Sequence, residues 1–476
     1  MRERSVDMLR GLAIVGMVLS GTISRNAALP AWLFHAQIAP PDFQFNPNLP
    51  GITWVDLVFP FFIFAMGVSI PYSLGNLLER GTSMGLICKK IVIRALRLFV
   101  FALVLGQLSP WHYTNVEGFY PWMAALMAFI AFFLAFGKLP LNPVWQRIAE
   151  AGGYLILTGL LVTKHLGLGL PFSFNKNDII ILVLANLALF GGLIWLLTRQ
   201  KPLTRVAIVA MVFALRLTHG IDGSVNQLLW AFTPAKSLAE WFPALHTLLL
   251  PLGDLKRTVF YNPEFLKYLL ILIPATIVGD LLRDNKSGTA IGNIWAIAFA
   301  AIVVLNTWFL HARHLQLVWI INLAFGLMLL WGKRLIPGLR GKDAAIARWS
   351  YALLLLGTVF EAWEGGIKKD PSTYSYLLLT AGLSGFALLT FRQCSTSASW
   401  TKVFAGIEKT GMNPMIGYVV VSYAIAPLLH FARILPWMDS WHLTHPWLGV
   451  LRGLLLTLLM LFATQWFTNR KIYWKT

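Results

Sequence analysis

Apolar runs about twenty residues long recur from one end of this 476-residue chain to the other. A bilayer core about 30 Å thick asks for about 20 such residues per helix. Inside lipid, a helix can satisfy its own backbone polar groups, whereas an irregular strand cannot. The recurrence therefore points to an all-α, polytopic transmembrane helix bundle. At that length, spans fall near 8–24, 52–76, 91–108, 120–137, 149–163, 179–198 and 205–217. A second group falls near 265–283, 290–310, 315–332, 349–361, 374–391, 413–431 and 447–468. The segments 149–163, 205–217 and 349–361 are the shortest. About 12–14 spans are expected, forming one membrane-embedded domain over residues 1–476.

Composition agrees. The chain is 57% hydrophobic and 12% charged, about half the charge of a soluble domain, with a mean hydropathy of +0.67. The formal net charge of +19 would suggest nucleic acid for a soluble chain. Here the basic residues sit in short loops between apolar runs, and no RNA-binding motif or zinc-finger spacing accompanies them. A nucleic-acid partner is therefore not expected.

Loop charge sets the orientation. Arg2 and Arg4 precede the first run, and Arg80, Lys89 and Lys90 follow the second. Lys138 and Arg147, then Arg199, Lys201 and Arg205, then Arg283 and Lys286, mark later alternate loops. Lys333, Arg334, Arg340, Lys342 and Arg348 follow, then Arg392, Lys402 and Lys409, and finally Arg470, Lys471 and Lys475. Basic residues fill every second loop, so the positive-inside bias puts both termini in the cytoplasm of a multi-pass inner (plasma) membrane protein. The first run has a basic start but no small-residue cleavage site, and reads as an uncleaved span. Cys88 and Cys394 fall in loops on the reducing side and read as free thiols. The opposite side carries the long loops 25–51 and 218–264, the latter with Asp222, Glu240, His246, Asp254 and Tyr261. Pro274 and Pro427 inside spans suggest kinks.

One stretch concentrates chemistry. WLFHAQIAPPDFQFNPNLPGITWVDLVFPFFIFAMG, residues 32–67, places His35 in a proline-rich loop and Asp56 at the mouth of an apolar run. A histidine can give or take a proton near neutral pH. A carboxylate at a membrane edge is costly and marks a functional-site hypothesis. Each residue has a plainer reading: His35 as a solvated loop residue, and Asp56 as an acid complementing a helix N-terminus behind a Thr53 cap. The readings are compatible, because a carboxylate is the usual orienting partner of a histidine base. Pro40, Pro41, Pro47 and Pro50 stiffen the loop. Trp32, Phe34, Phe43 and Phe45 let it pack onto the membrane domain.

Lys90, Arg94 and Arg97 form a one-face stripe at the start of the third span. Positive-inside anchoring explains them; so would a wall for the phosphates of a nucleotide cofactor. Glu361 and Glu364 lie near Lys368 and Lys369, and a local ion-pair network accounts for them. Asn413, in GMNPMIGY, opens the thirteenth span as an N-cap or a functional amide. No HExxH, P-loop, GxSxG or dinucleotide fingerprint is present, and no Cys/His cluster has metal spacing, so no metal is expected.

These residues coincide with a known pattern. RSVDMLRGLAIVGMVL, WLFHAQ followed by GITWVDLVFPFFIFAMGVSI, IKKDPSTYSYLLLTAGLSGFAL, and GMNPMIGYVV with NRKIYWKT together resemble the membrane-embedded heparan-α-glucosaminide N-acetyltransferase family and its bacterial relatives. The resemblance implies transfer of acetyl from cytoplasmic acetyl-CoA to an amino sugar or glycan acceptor beyond the bilayer. It implies His35 as base or acetyl carrier, with Asp56 as its partner. Lys90, Arg94, Arg97 and Asn413 are implied on the acetyl-CoA side. A homodimer is compatible with it. An O-acyltransferase of envelope glycans and an amino-sugar transporter of similar topology are the alternatives. Several departures accompany the resemblance, among them a longer loop from His35 to Asp56 and the absence of the family's G-V-L-Q-R helix start before residue 120. Gly21 stands where family members often carry asparagine, and about four extra spans fall within 120–217 and 290–332.

Overall fold

The computed structural model describes residues 3–113, 116, 118–232, 234–249, 262–284, 291–335 and 338–474. Arg2, Asp254, Tyr261, Lys286 and Lys475 lie outside them, and the side chains of His246, Lys333 and Arg334 are likewise not described. The chain is an all-α bundle. The strand content among the described residues is one two-residue pair, Gly137–Lys138 against Tyr473–Trp474, antiparallel.

Eleven helices among the described residues are long and apolar enough to cross a membrane. They are Arg4–Thr22, Trp54–Glu79, Met84–Leu108, Phe119–Phe136, Ile179–Thr198, Pro263–Arg283, Asn293–His311, Gly341–Trp363, Tyr374–Thr396, Pro414–Phe431 and Pro446–Asn469. A shorter apolar stretch, Leu315–Trp331, adds to them. The short expected spans resolve differently. The segment expected at 149–163 belongs to a helix that begins earlier, at Pro143, because Asn142 accepts the Trp145 N–H and Pro143 occupies the first turn. That helix carries Arg147 and Glu150 and is not apolar enough to count as a span. The 205–217 segment is the 17-residue helix Pro202–Thr218. The 349–361 segment extends to Gly341–Trp363, 23 residues, whose charged first turns hide its length in a hydropathy reading. The Pro427 break is real: Pro414–Val420 and Ala426–Phe431 are joined by a π turn, Val421–Ile425, a usual way to absorb a lost helical hydrogen bond. Cys88 and Cys394 are free thiols inside helices rather than in loops.

The chain divides into two compact units. The first comprises Met1–Gly75, Leu270–Tyr418 and Trp437–Gln465. Its most buried helix is Tyr374–Thr396, with 94% of its apolar window inside the protein. The N-terminal helix crosses Ala405–Met412 at backbone contact. A Cβ on Gly11 would enter the Ile407 carbonyl, and one on Gly411 would enter that of Asp7. Arg10 locks this crossing. Its guanidinium donates to Gly411 O at 3.2 Å and to Ser69 Oγ at 2.5 Å, and lies 3.4 Å from Asp7 Oδ1. The RSVDMLRG string is thus, in this structure, a helix-crossing motif.

The second unit comprises Asn76–Leu269, Val419–Pro436 and Trp466–Thr476. Trp474 is stacked on Phe136 and packs edge-on against Phe101. Lys164 is 2% exposed. Its ammonium donates to the Gln107 carbonyl in the last turn of Met84–Leu108 and lies 4.3 Å over the Tyr113 ring, where a cation complements the helix C-terminus. Burial, with help from Lys176, lowers its pKa to about 8. The unfolded chain therefore binds one more proton than the folded one between about pH 8 and the ordinary lysine value of about 10.4. Stability should rise with pH across that window. Thermal melts in detergent from pH 8 to 10 should show the melting temperature of wild type climbing relative to Lys164→Met, which lacks the titrating group.

Candidate functional site

Residues 52–56 show why Asp56 is where it is. Asp56 stands three residues after Thr53 in the first turn of Trp54–Glu79. Thr53 Oγ1 accepts the Val55 N–H at 3.2 Å, and Asp56 Oδ2 accepts the Thr53 N–H at 2.9 Å. This reciprocal cap satisfies two donors that a helix start leaves open. The same carboxylate reaches into the preceding loop. Oδ2 also accepts the Ala36 N–H at 3.2 Å, and Oδ1 lies 2.7 Å from His35 Nδ1. Asp56 is 1% exposed, and the carboxylate serves the helix cap and the His35 contact together.

The loop is pinned to meet it. Phe34 is buried with Ile23 and Leu29 and meets Phe43 edge-on at 4.9 Å. Thr53 Oγ1 donates to Phe34 O at 2.7 Å. Trp32 packs against Trp308 and His311, with centroids at 5.2 and 5.3 Å. Of the four expected aromatic anchors, Phe45 alone departs, being 54% exposed.

A third segment, 365–376, completes the site. Gly51 N donates to Ile367 O at 2.8 Å. Gly366, at φ 121°, lies so close to Pro50 that a Cβ would enter the proline ring. Gln37 pairs with Asp370 in both directions: Asp370 N donates to Oε1 at 2.8 Å, and Nε2 donates to the Asp370 carbonyl. Tyr376 Oη donates to the Asp56 carbonyl at 2.7 Å. These bonds bring Lys369 to the imidazole, with Nζ 3.1 Å from Nδ1 and 3.4 Å from Nε2. The local ion-pair network expected around Glu361 and Glu364 does not form. Glu361 pairs with Arg313 at 2.6 Å. Glu364 accepts the Tyr374 and Ser375 N–H groups at the start of Tyr374–Thr396.

The protonation pattern follows from the donor count. Asp56 Oδ2 accepts from backbone N–H groups, so Oδ1 is left to accept the Nδ1 proton of His35. With the proton on Nδ1, a neutral ring carries its lone pair on Nε2. The His35 side chain is 35% exposed, so a substrate can reach it.

Of the other expected site residues, Asn413 is buried at the junction of Ala405–Met412 and Pro414–Val420. It follows the Gly411 crossing with the N-terminal helix, while His35 follows that helix's other end, about 18 Å along it at 1.5 Å per residue. Lys90, Arg94 and Arg97 lie in the second unit on Met84–Leu108. Lys90 and Arg94 are exposed. Arg97 donates to Ala135 O at 3.4 Å and pairs with Glu150 at 3.8 Å. A Cβ on Gly21 would meet nothing within 4 Å. Reading by residue type missed Lys369, Gln37 and Tyr376. The signal was there in IKKDPSTYSY, a polar loop inside one of the stretches that carry the family resemblance.

The family model described as a domain of unknown function (DUF5009) matches residues 2–255, more than half of the chain. The chain belongs to the DUF5009 family. This DUF5009 protein is also similar to the heparan-alpha-glucosaminide N-acetyltransferases of Mus musculus and Homo sapiens. It is 34% and 32% identical to them over 124 residues, 25% of this chain. The match spans 17% and 16% of those relatives' own lengths.

Proposed function

We propose that this DUF5009 protein is a transmembrane acetyltransferase, working as one membrane-embedded catalytic domain of a plasma (inner) membrane with both termini in the cytoplasm. Its donor is cytoplasmic acetyl-CoA. Its acceptor is an extracytoplasmic amino sugar, glucosamine or a glucosamine-terminated glycan. The observation that carries this reading is the buried Asp56 carboxylate 2.7 Å from His35 Nδ1, in a chain with sequence similarity to membrane N-acetyltransferases.

The chemistry follows from the tautomer. The acceptor amine attacks the thioester carbonyl carbon, and its proton passes to His35 Nε2. The carbonyl π pair moves onto oxygen. On collapse the C–S bond breaks, and the CoA thiolate leaves with the bonding pair and takes the proton back from Nε2. One histidine suffices, so a ternary complex is the route assigned. Lys90, Arg94, Arg97 and Asn413 are assigned to holding the CoA moiety.

The test is label transfer in proteoliposomes, from acetyl-CoA on one face to glucosamine on the other. His35→Ala should lower the rate by about 10²–10⁴-fold, the usual worth of a general base. Transfer unchanged by that substitution removes the role of His35. An acetyl ester in place of an amide, seen by mass and alkaline lability, moves the assignment to O-acylation. Counterflow of unmodified amino sugar without acetyl-CoA moves it to transport.

A further inference from the structure

The backbone on both sides of Lys369 is held by hydrogen bonds. The Gln37–Asp370 pair fixes the next residue, Ser372 Oγ donates to the Lys369 carbonyl at 2.6 Å, and Thr373 N donates to Lys368 O at 3.0 Å. The side chain is 20% exposed. Its Nζ is at nearly equal distances from the two imidazole nitrogens, 3.1 and 3.4 Å. An in-plane approach at those distances would collide with the carbon between them, so the ammonium lies over the ring face. The Nε2 lone pair in the ring plane stays open. Lys369 also pairs at long range with Asp56, Nζ 4.0 Å from Oδ1, while the carboxylate oxygens take their short hydrogen bonds from His35, Ala36 and Thr53.

We propose that the Lys369 ammonium stabilises the oxyanion formed when an amine adds to the acetyl thioester at His35. This rests on the acetyltransferase reading and names the group that bears the transition-state charge. The reacting carbonyl must lie within about 3–3.5 Å of the amine, and that amine sits on Nε2. A cation 3.4 Å from Nε2 can then be reached by the carbonyl oxygen when the thioester lies on the ring face that carries Lys369. A preplaced positive group acts there with little reorganisation. The oxygen carries no proton at any stage, so Lys369 keeps all of its own.

The experiment compares wild type, Lys369→Met and Lys369→Arg with acetyl-CoA and fluoroacetyl-CoA in proteoliposomes. Lys369→Met should lower kcat with acetyl-CoA by about 10²–10³-fold, the loss seen for one oxyanion donor, while KM for the donor stays within about threefold. Lys369→Arg should regain about tenfold or more of that loss. Fluorine already stabilises the oxyanion, so the loss with fluoroacetyl-CoA should be several-fold smaller; a merely structural lysine would lose the same factor with both donors. Equal losses, or a Lys369→Met kcat within about threefold of wild type, overturn the inference. If Lys369→Met does not accumulate as folded protein, the donor comparison is made on Lys369→Arg with the same criterion. Failure of the parent reading is distinct: there, wild-type transfer is absent or survives His35→Ala.

Discussion

Asp56→Asn should cut acetyl transfer by about 10³–10⁴-fold while leaving the protein folded, the scale set when a catalytic histidine is held in the wrong tautomer. The reason lies in which carboxylate oxygen does what. The Oδ2 position faces the Thr53 and Ala36 N–H donors, at 2.9 and 3.2 Å. An amide placed there must turn its oxygen toward those donors, because an N–H against an N–H leaves both buried groups unpaired. The amide NH₂ then faces His35 Nδ1. That nitrogen has to accept, so the ring proton moves to Nε2 and the base disappears. The helix cap survives, so the melting temperature should change little while kcat collapses. Turnover measured beside a thermal melt separates the two. An Asp56→Asn enzyme within about tenfold of wild type would mean that the carboxylate does not set the tautomer.

Gly411→Ala should remove the fold rather than the chemistry. A methyl group at this position meets the Asp7 carbonyl, and Gly11 N lies just beyond it. Both are backbone atoms of a 19-residue helix that is itself tied down by Arg10 and by the Arg4–Glu408 pair at 2.7 Å. Neither wall can rotate away, as the end of a flexible side chain could. Small residues let membrane helices approach to backbone contact, and overfilling such a crossing costs about 1–3 kcal/mol, more where backbone walls cannot move. That is a large share of the 5–15 kcal/mol typical of a domain's total stability. The expected result is a sharp drop in monodisperse protein recovered in detergent. By contrast, Gly21→Ala, whose Cβ meets nothing, should be recovered like wild type. Equal recovery of the two variants would show that the two helices do not cross as described.

Much of the site was legible because its parts are local. His35 and Asp56 are 21 residues apart, and the cap at Thr53 is written in adjacent positions. Lys369 was legible only as one of two lysines after two acids, and proximity in sequence gave it the wrong partners. Its actual neighbour is 334 residues away, brought in by the Gln37–Asp370 pair, the Gly51–Ile367 hydrogen bond and the close pass of Gly366 against Pro50. No residue type announces those contacts in advance. The RSVDMLRG string shows the opposite case. It stood out as a motif, but packing at Gly11 and Gly411 reveals why those positions carry glycine.

The residues by themselves settled the class of the molecule, since the cost of leaving backbone groups unpaired in lipid is independent of how the helices later pack. They also set the cap that presents Asp56, which depends only on residues within one turn. The tertiary arrangement alone decided that an ammonium from a distant loop rests on the His35 ring. It decided as well that Asn413 stays near the opposite end of the first helix, because the approach of two segments far apart in the chain depends on the steric fit of everything packed between them.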